Sequence, residues 1–141
     1  MGILTSFRNR VRAKKAADQI APLLMPCFVH FLSPAGELDT KMRSDEFLLS
    51  YMYGVFGFGI EAAGITDNSQ IGFTLWECFD RFFPGAGRQS LDFCNLRLES
   101  KDEKFLRGIA RGWEEMQEAC QSEGQSTFTS LLKHLVRYYS S

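Results

Sequence analysis

Along most of this chain large apolar residues recur every three or four positions, the period of helices that bury one face. The clearest run steps through Leu106, Ile109, Trp113, Met116 and Cys120, which reads as a packing seam. Lys104, Arg107, Arg111, Glu114, Glu115 and Glu118 fill its solvated side. Ser100-Lys-Asp-Glu103 reads as a capping box before this helix, and Glu123-Gly124 closes it. A last helix is expected from Ser126 to Tyr139, with Phe128, Leu131, Leu132, Leu135, Val136 and Tyr139 inward.

The same reading places four earlier elements. Ile3, Phe7 and Val11 recur every fourth residue in a segment, Ile3 to Ile20, that holds no Gly or Pro. A second helix is expected from Pro22, with Pro26 kinking it or delaying its start, and Ser33-Pro34-Ala35-Gly36 stopping it. After a polar connector, Glu37 to Arg43, Ser44 is the expected N-cap of a helix running to Ala63. In the following helix, Ile71, Leu75, Trp76, Phe79, Phe82 and Phe83 share one face, and Gln70, Thr74, Glu77 and Arg81 share the opposite one. Asp67 and Gln70 form its capping box, and Pro84-Gly85-Ala86-Gly87 ends it. Ser90 to Leu98 is ambiguous in period, because Cys94-Asn95 breaks an alternation, and we read it as a short helix.

The stretch Phe47 to Ile60 is apolar on nearly every face, which places it at the centre of a bundle. Its 14 residues fall short of the roughly 20 that a membrane-spanning helix needs. Gly54, Gly57 and Gly59 cost helix stability, about 1 kcal/mol each relative to Ala. Close approach of a neighbouring helix explains them; a ligand lying against the bare backbone is the alternative. With Val only at positions 11, 29, 55 and 136, strand signals are nearly missing. The expected fold is all-α: one irregular bundle of five to seven helices around a central apolar helix, as a basic helical arm over 1–20 and a bundle over 21–141.

Composition adds little to that picture and charge adds more. The 141 residues, 45% hydrophobic and 23% charged, suit one globular domain. A formal net charge of −1 gives no reason to expect a nucleic-acid partner. The charge is unevenly spread, however. Residues 1–20 hold five basic residues and one acid, and the remainder holds 11 basic residues and 16 acids. Such an arm is expected to meet something anionic or the protein's own acidic body. Met1-Gly2-Ile-Leu-Thr-Ser6 also matches the short N-myristoylation pattern.

Candidate chemistry is thin. Cys27, Cys78, Cys94 and Cys120 show no zinc-type spacing, and the absence of a signal-peptide pattern favours reduced thiols in a cytoplasmic chain. Cys78, Cys94 and Cys120 sit within apolar patterns, as buried thiols do. Cys27 and His30 could share a helix face toward a metal, and His30 could be a haem ligand, but nothing completes either site. Asp67 to Cys78 fails as a calcium loop at its fifth and twelfth positions. Gly85-Ala-Gly87-Arg88 could hold an anion on its amides but lacks the phosphate-loop ending. Two histidines leave little room for acid–base catalysis, although a Cys120–His134 pair is conceivable. The carboxylate pairs Asp45/Glu46 and Glu114/Glu115 read as helix starts and solvated faces.

The expectation is therefore a non-enzymatic helical interaction domain without a cofactor, self-associating or bound to another protein. Its contact residues would be Phe7, Arg8, Arg10, Val11, Arg12, Lys14 and Lys15 on the arm, and Tyr138 and Tyr139 at the end. The first alternative is a peripheral membrane protein that docks through residues 3–15. The second is a bundle with an apolar ligand pocket near His30, Gly54, Gly57 and Phe58.

Overall fold

The computed structural model describes residues 3–122 and 128–140, without the side chains of 5 and 6. It is all-α, with six α-helices and no strand among the described residues. They are α1 (Ile3–Leu24), α2 (Glu46–Ala62), α3 (Asn68–Phe82), α4 (Gly87–Glu99), α5 (Glu103–Gln121) and α6 (Thr129–Tyr139). Two 3-10 segments, Met25–Phe31 and Thr40–Ser44, lie between α1 and α2. No helix among the described residues is long and apolar enough to cross a membrane.

Helix α2 occupies the centre and touches each of the other five. Its apolar surface leaves Leu48, Leu49, Tyr51, Met52, Val55, Phe56 and Ile60 buried. Asp45, not Ser44, caps it: the Asp45 carboxylate accepts the Leu48 N–H at 3.0 Å. Ser44 instead closes the preceding 3-10 turn. At the other end Gly64 adopts φ +78°, and Ile65 N–H reaches back to the Ile60 carbonyl at 3.2 Å, so glycine is the residue that lets this helix stop. A cluster of edge-on rings fills the centre, with Phe56 5.1 Å from Phe79 and Phe28 5.1 Å from Phe82.

Several expected boundaries moved. Helix α1 does not stop at residue 20. It runs through Pro22 to Leu24, because Ile20, Ala21 and Leu24 are buried against the core. Pro26 then sits in the first turn of the 3-10 segment, where its missing N–H costs nothing. The expected box at Ser100 also fails. Ser100 ends α4, Lys101 turns left-handed at φ 53°, and Asp102 becomes the cap of α5 by accepting the Phe105 N–H at 3.1 Å. Asp67 does cap α3 through the Gln70 N–H, but the Gln70 side chain makes no return bond. Helix α6 begins at Thr129; the expected start at Ser126 lies outside the described residues, as does Glu123-Gly124. Val136, expected inward, is exposed.

Helix α5 is rotated from its expected setting, whereas α3 buries its expected apolar face and a second, polar face besides. On α5 the buried line is Phe105, Gly108, Gly112, Glu115 and Met116. Leu106 is exposed, and Ile109 and Trp113 are half-buried at its edge. The two glycines set this choice. A Cβ on Gly112 would overlap the Tyr51 carbonyl, and one on Gly54 would stand 2.8 Å from the Trp113 amide nitrogen. Backbone thus meets backbone where α2 crosses α5, and large side chains cannot occupy that line.

On α3, the polar row opposite the apolar face is covered as well. Gln70, Thr74 and Glu77 are buried, and Arg81 is half-buried. Helix α1 packs extensively on α3 and carries polar groups to match. Arg81 reaches Asp18 at 2.9 Å and Glu77 at 3.0 Å, and Arg10 approaches Glu77 at 3.8 Å. Thr74 donates to the Gln70 carbonyl.

Candidate docking surface and polar clusters

The first three turns of α1 carry an apolar stripe that no other described residue covers. Ile3, Leu4, Phe7 and Val11 lie one above another and are 89%, 74%, 66% and 45% exposed. The helix is held from its other side, where Ala13, Ala16, Ala17 and Ile20 are buried. Arg10 fixes one edge, with its guanidinium 4.6 Å from the Trp76 ring centre and beside Glu77. Arg88 lies over the same indole at 5.4 Å. Arg8, Arg12, Lys14 and Lys15 have no carboxylate partner among the described residues. The stripe is therefore bordered and continued by unpaired cations. Of the acylation pattern at Met1–Ser6, Met1 and Gly2 lie outside the described residues.

The residues expected at the C-terminus separate. Tyr138 is exposed, with Arg137 over its ring at 5.2 Å. Tyr139 turns inward and donates its hydroxyl to Asp45 at 2.7 Å. His134 Nε2 meets the same Asp45 oxygen at 2.7 Å, and its ring packs on Phe47 with 4.6 Å between centres. Asp45 is thus more than a helix start: it pins the end of the chain to the start of α2. Burial pushes its carboxyl up, but the bonds from His134, Leu48 N–H and Tyr139 outweigh this and hold it below the ordinary 3.8.

Glu115 is not on a solvated face either. It is buried, accepts the Tyr51 hydroxyl at 2.7 Å, and takes both the N–H and the hydroxyl of Ser130. Burial first, and then the Glu115 carboxyl, push the Tyr51 phenol far above its ordinary value, so it remains a donor. No sequence spacing links these groups, since Tyr51 and Glu115 stand 64 residues apart.

The residues expected to line an apolar pocket are dispersed. Gly54 faces the α5 backbone, a Cβ on Gly57 would stand 3.5 Å from the Trp113 ring, and Phe58 packs edge-on to Trp113 at 5.3 Å. Gly54 and Gly57 thus face α5, and Gly59 faces Ile20 of α1. His30 is exposed in another cleft, with Leu38, Asp39, Met42 and Tyr139. The loop Gly85–Gly87, which fell short of a phosphate loop in sequence, is filled from within: the Asp80 carboxylate accepts both glycine N–H groups, at 3.1 and 3.2 Å. Cys78 and Cys94 are buried, Cys27 is half-buried, and Cys120 is exposed rather than inside the seam. Among the described residues no three His, Cys, Asp or Glu side chains converge as metal ligands would. Comparison with protein-family models, with characterised proteins and with solved structures finds no match to this chain.

Proposed function

We propose that this chain is a non-catalytic helical docking domain whose binding element is the first half of α1, and that the surface it meets is an anionic lipid bilayer. The observation that carries this reading is the exposed stripe Ile3, Leu4, Phe7 and Val11, flanked by the unpaired Arg8, Arg12, Lys14 and Lys15. A helix of this design lies in the membrane interface, with its apolar row among the acyl chains and its basic residues at the headgroups. Each Lys or Arg near an anionic leaflet contributes about 1 kcal/mol. The glycine at position 2, in an acylation pattern, would add a second anchor beside the basic cluster.

Self-association through the same stripe is the competing reading, alongside docking on another protein. Exposed Val136 and Tyr138 add apolar surface at the other end of the chain. An isologous pairing of two α1 stripes would bring like charges together, which disfavours it relative to the anionic surface.

Vesicle flotation tests the proposal. The protein should float with vesicles containing about one-third phosphatidylserine and not with phosphatidylcholine alone, and salt should weaken binding. Leu4→Ser with Phe7→Ser should abolish flotation, as should Arg8→Gln with Arg12→Gln and Lys15→Gln. These side chains are exposed, so the fold should survive both sets. A protein that stays with the soluble fraction refutes the proposal. A mass in sedimentation that doubles with concentration, and does not in the Phe7 variant, would establish self-association instead.

A further inference from the structure

Away from α1, a cleft of about 530 Å³ opens between the starts of α2 and α6 and the first half of α5. Phe47 and Phe105 give it apolar walls, and Gly108, whose missing side chain makes room for Ser50 of α2, also lines it. Lys104, Arg107 and Arg111 line it from consecutive turns of α5. Lys104 and Arg107 have no carboxylate partner among the described residues. Arg111 has only a loose one, Glu114 at 4.0 Å. The single acid in the lining, Glu46, is already held by Arg97 at 2.6 Å from outside the cleft. Ser130, also in the lining, has its donors turned to Glu115 and so does not compete for an anion.

We propose that this cleft binds a small soluble organic phosphate: a planar or short-chain apolar body with one terminal phosphate. The aromatic walls suit the body, and two guanidiniums one turn apart suit a phosphate, which arginine grips in fork geometry. The size lies within the range of small-ligand sites. An anion without an apolar body would leave Phe47 and Phe105 unused, and an apolar body without charge would leave Lys104 and Arg107 uncompensated. The site shares no residue with the α1 stripe, so it stands independently of the docking proposal.

Calorimetric titration with 2-naphthyl phosphate, 2-naphthol and inorganic phosphate is the test. The phosphate ester should bind at least about tenfold more tightly than either of the other two. Lys104→Gln with Arg107→Gln, both at exposed positions, should weaken it about tenfold. Lys14→Gln should leave it unchanged. The same double variant should still float with anionic vesicles, which separates a soluble ligand from a lipid headgroup. Equal affinity for the three probes, no binding at millimolar concentration, or undiminished affinity in the double variant would overturn the proposal; so would loss of flotation with loss of ester binding.

Discussion

Tyr51 on α2 donates its hydroxyl to Glu115 on α5 across 2.7 Å, inside the molecule. The same carboxyl holds the first turn of α6 through Ser130. Three helices therefore share one buried acceptor. Removing it strands the Tyr51 hydroxyl and the Ser130 N–H without partners. Glu115→Ala should cost about 2–4 kcal/mol in urea unfolding, and Tyr51→Phe about 1 kcal/mol. The double variant should cost less than the sum, since the two residues spend part of their energy on each other.

Glycine does opposite things at different sites. Gly112 and Gly54 are the points where α2 and α5 touch backbone to backbone, and an added methyl has nowhere to go. Gly112→Ala or Gly54→Ala should destabilise by about 3 kcal/mol or more, through separation of the two helices. Gly72, inside α3, would place its Cβ in open space. Gly72→Ala should stabilise by about 1 kcal/mol, because alanine restricts the unfolded chain and favours the helix. Thermal unfolding distinguishes them by sign, at roughly 3 °C per kcal/mol for a chain of this length.

Asp45 predicts a pH dependence. Its folded pKa lies below the ordinary 3.8, so its bonds to Leu48, His134 and Tyr139 contribute fully above that value. The contribution is lost as pH falls through the lowered folded pKa. Asp45→Asn should cost about 1–2 kcal/mol near neutrality. The gap between variant and parent should close as the solution is acidified past the folded pKa. Urea unfolding at a series of pH values measures this, and a gap that stays constant would contradict it.

The helices and their central member were readable because periodic apolar residues report burial directly, as at Leu48 to Ile60. What escaped was the partner on the other side. Nothing in the α3 spacing shows that Glu77 and Arg81 meet Arg10 and Asp18 on α1, which supply the charges that their burial calls for. The row Phe105, Gly108, Gly112 was overlooked because glycine carries no apolar side chain to count, though Gly108-x-x-x-Gly112 was a signal that two helices could approach closely. The polar clusters at Glu115 and Asp45 draw in Tyr51, His134 and Tyr139 from 64 to 94 positions away, beyond any local period. The exposed α1 stripe is the reverse case: its spacing was plain, and only the fold reveals that its neighbours bury the opposite side.

The four cysteines should separate by environment rather than by sequence. Burial pushes the Cys78 and Cys94 thiols up to about 12 and the Cys27 thiol up to about 11, which suppresses the reactive thiolate. Cys120 alone is exposed. With a chromogenic disulfide reagent at pH 8, one thiol equivalent should react quickly and be lost in Cys120→Ser. Cys27 should follow slowly, since it is half-buried. Cys78 and Cys94 should react only as fast as the chain unfolds, so their rate should rise with urea in step with loss of helical signal. Rapid labelling of two or more thiols in the native protein would mean that the packing around α2, where Cys94 lies against the Leu49 carbonyl, is looser than described.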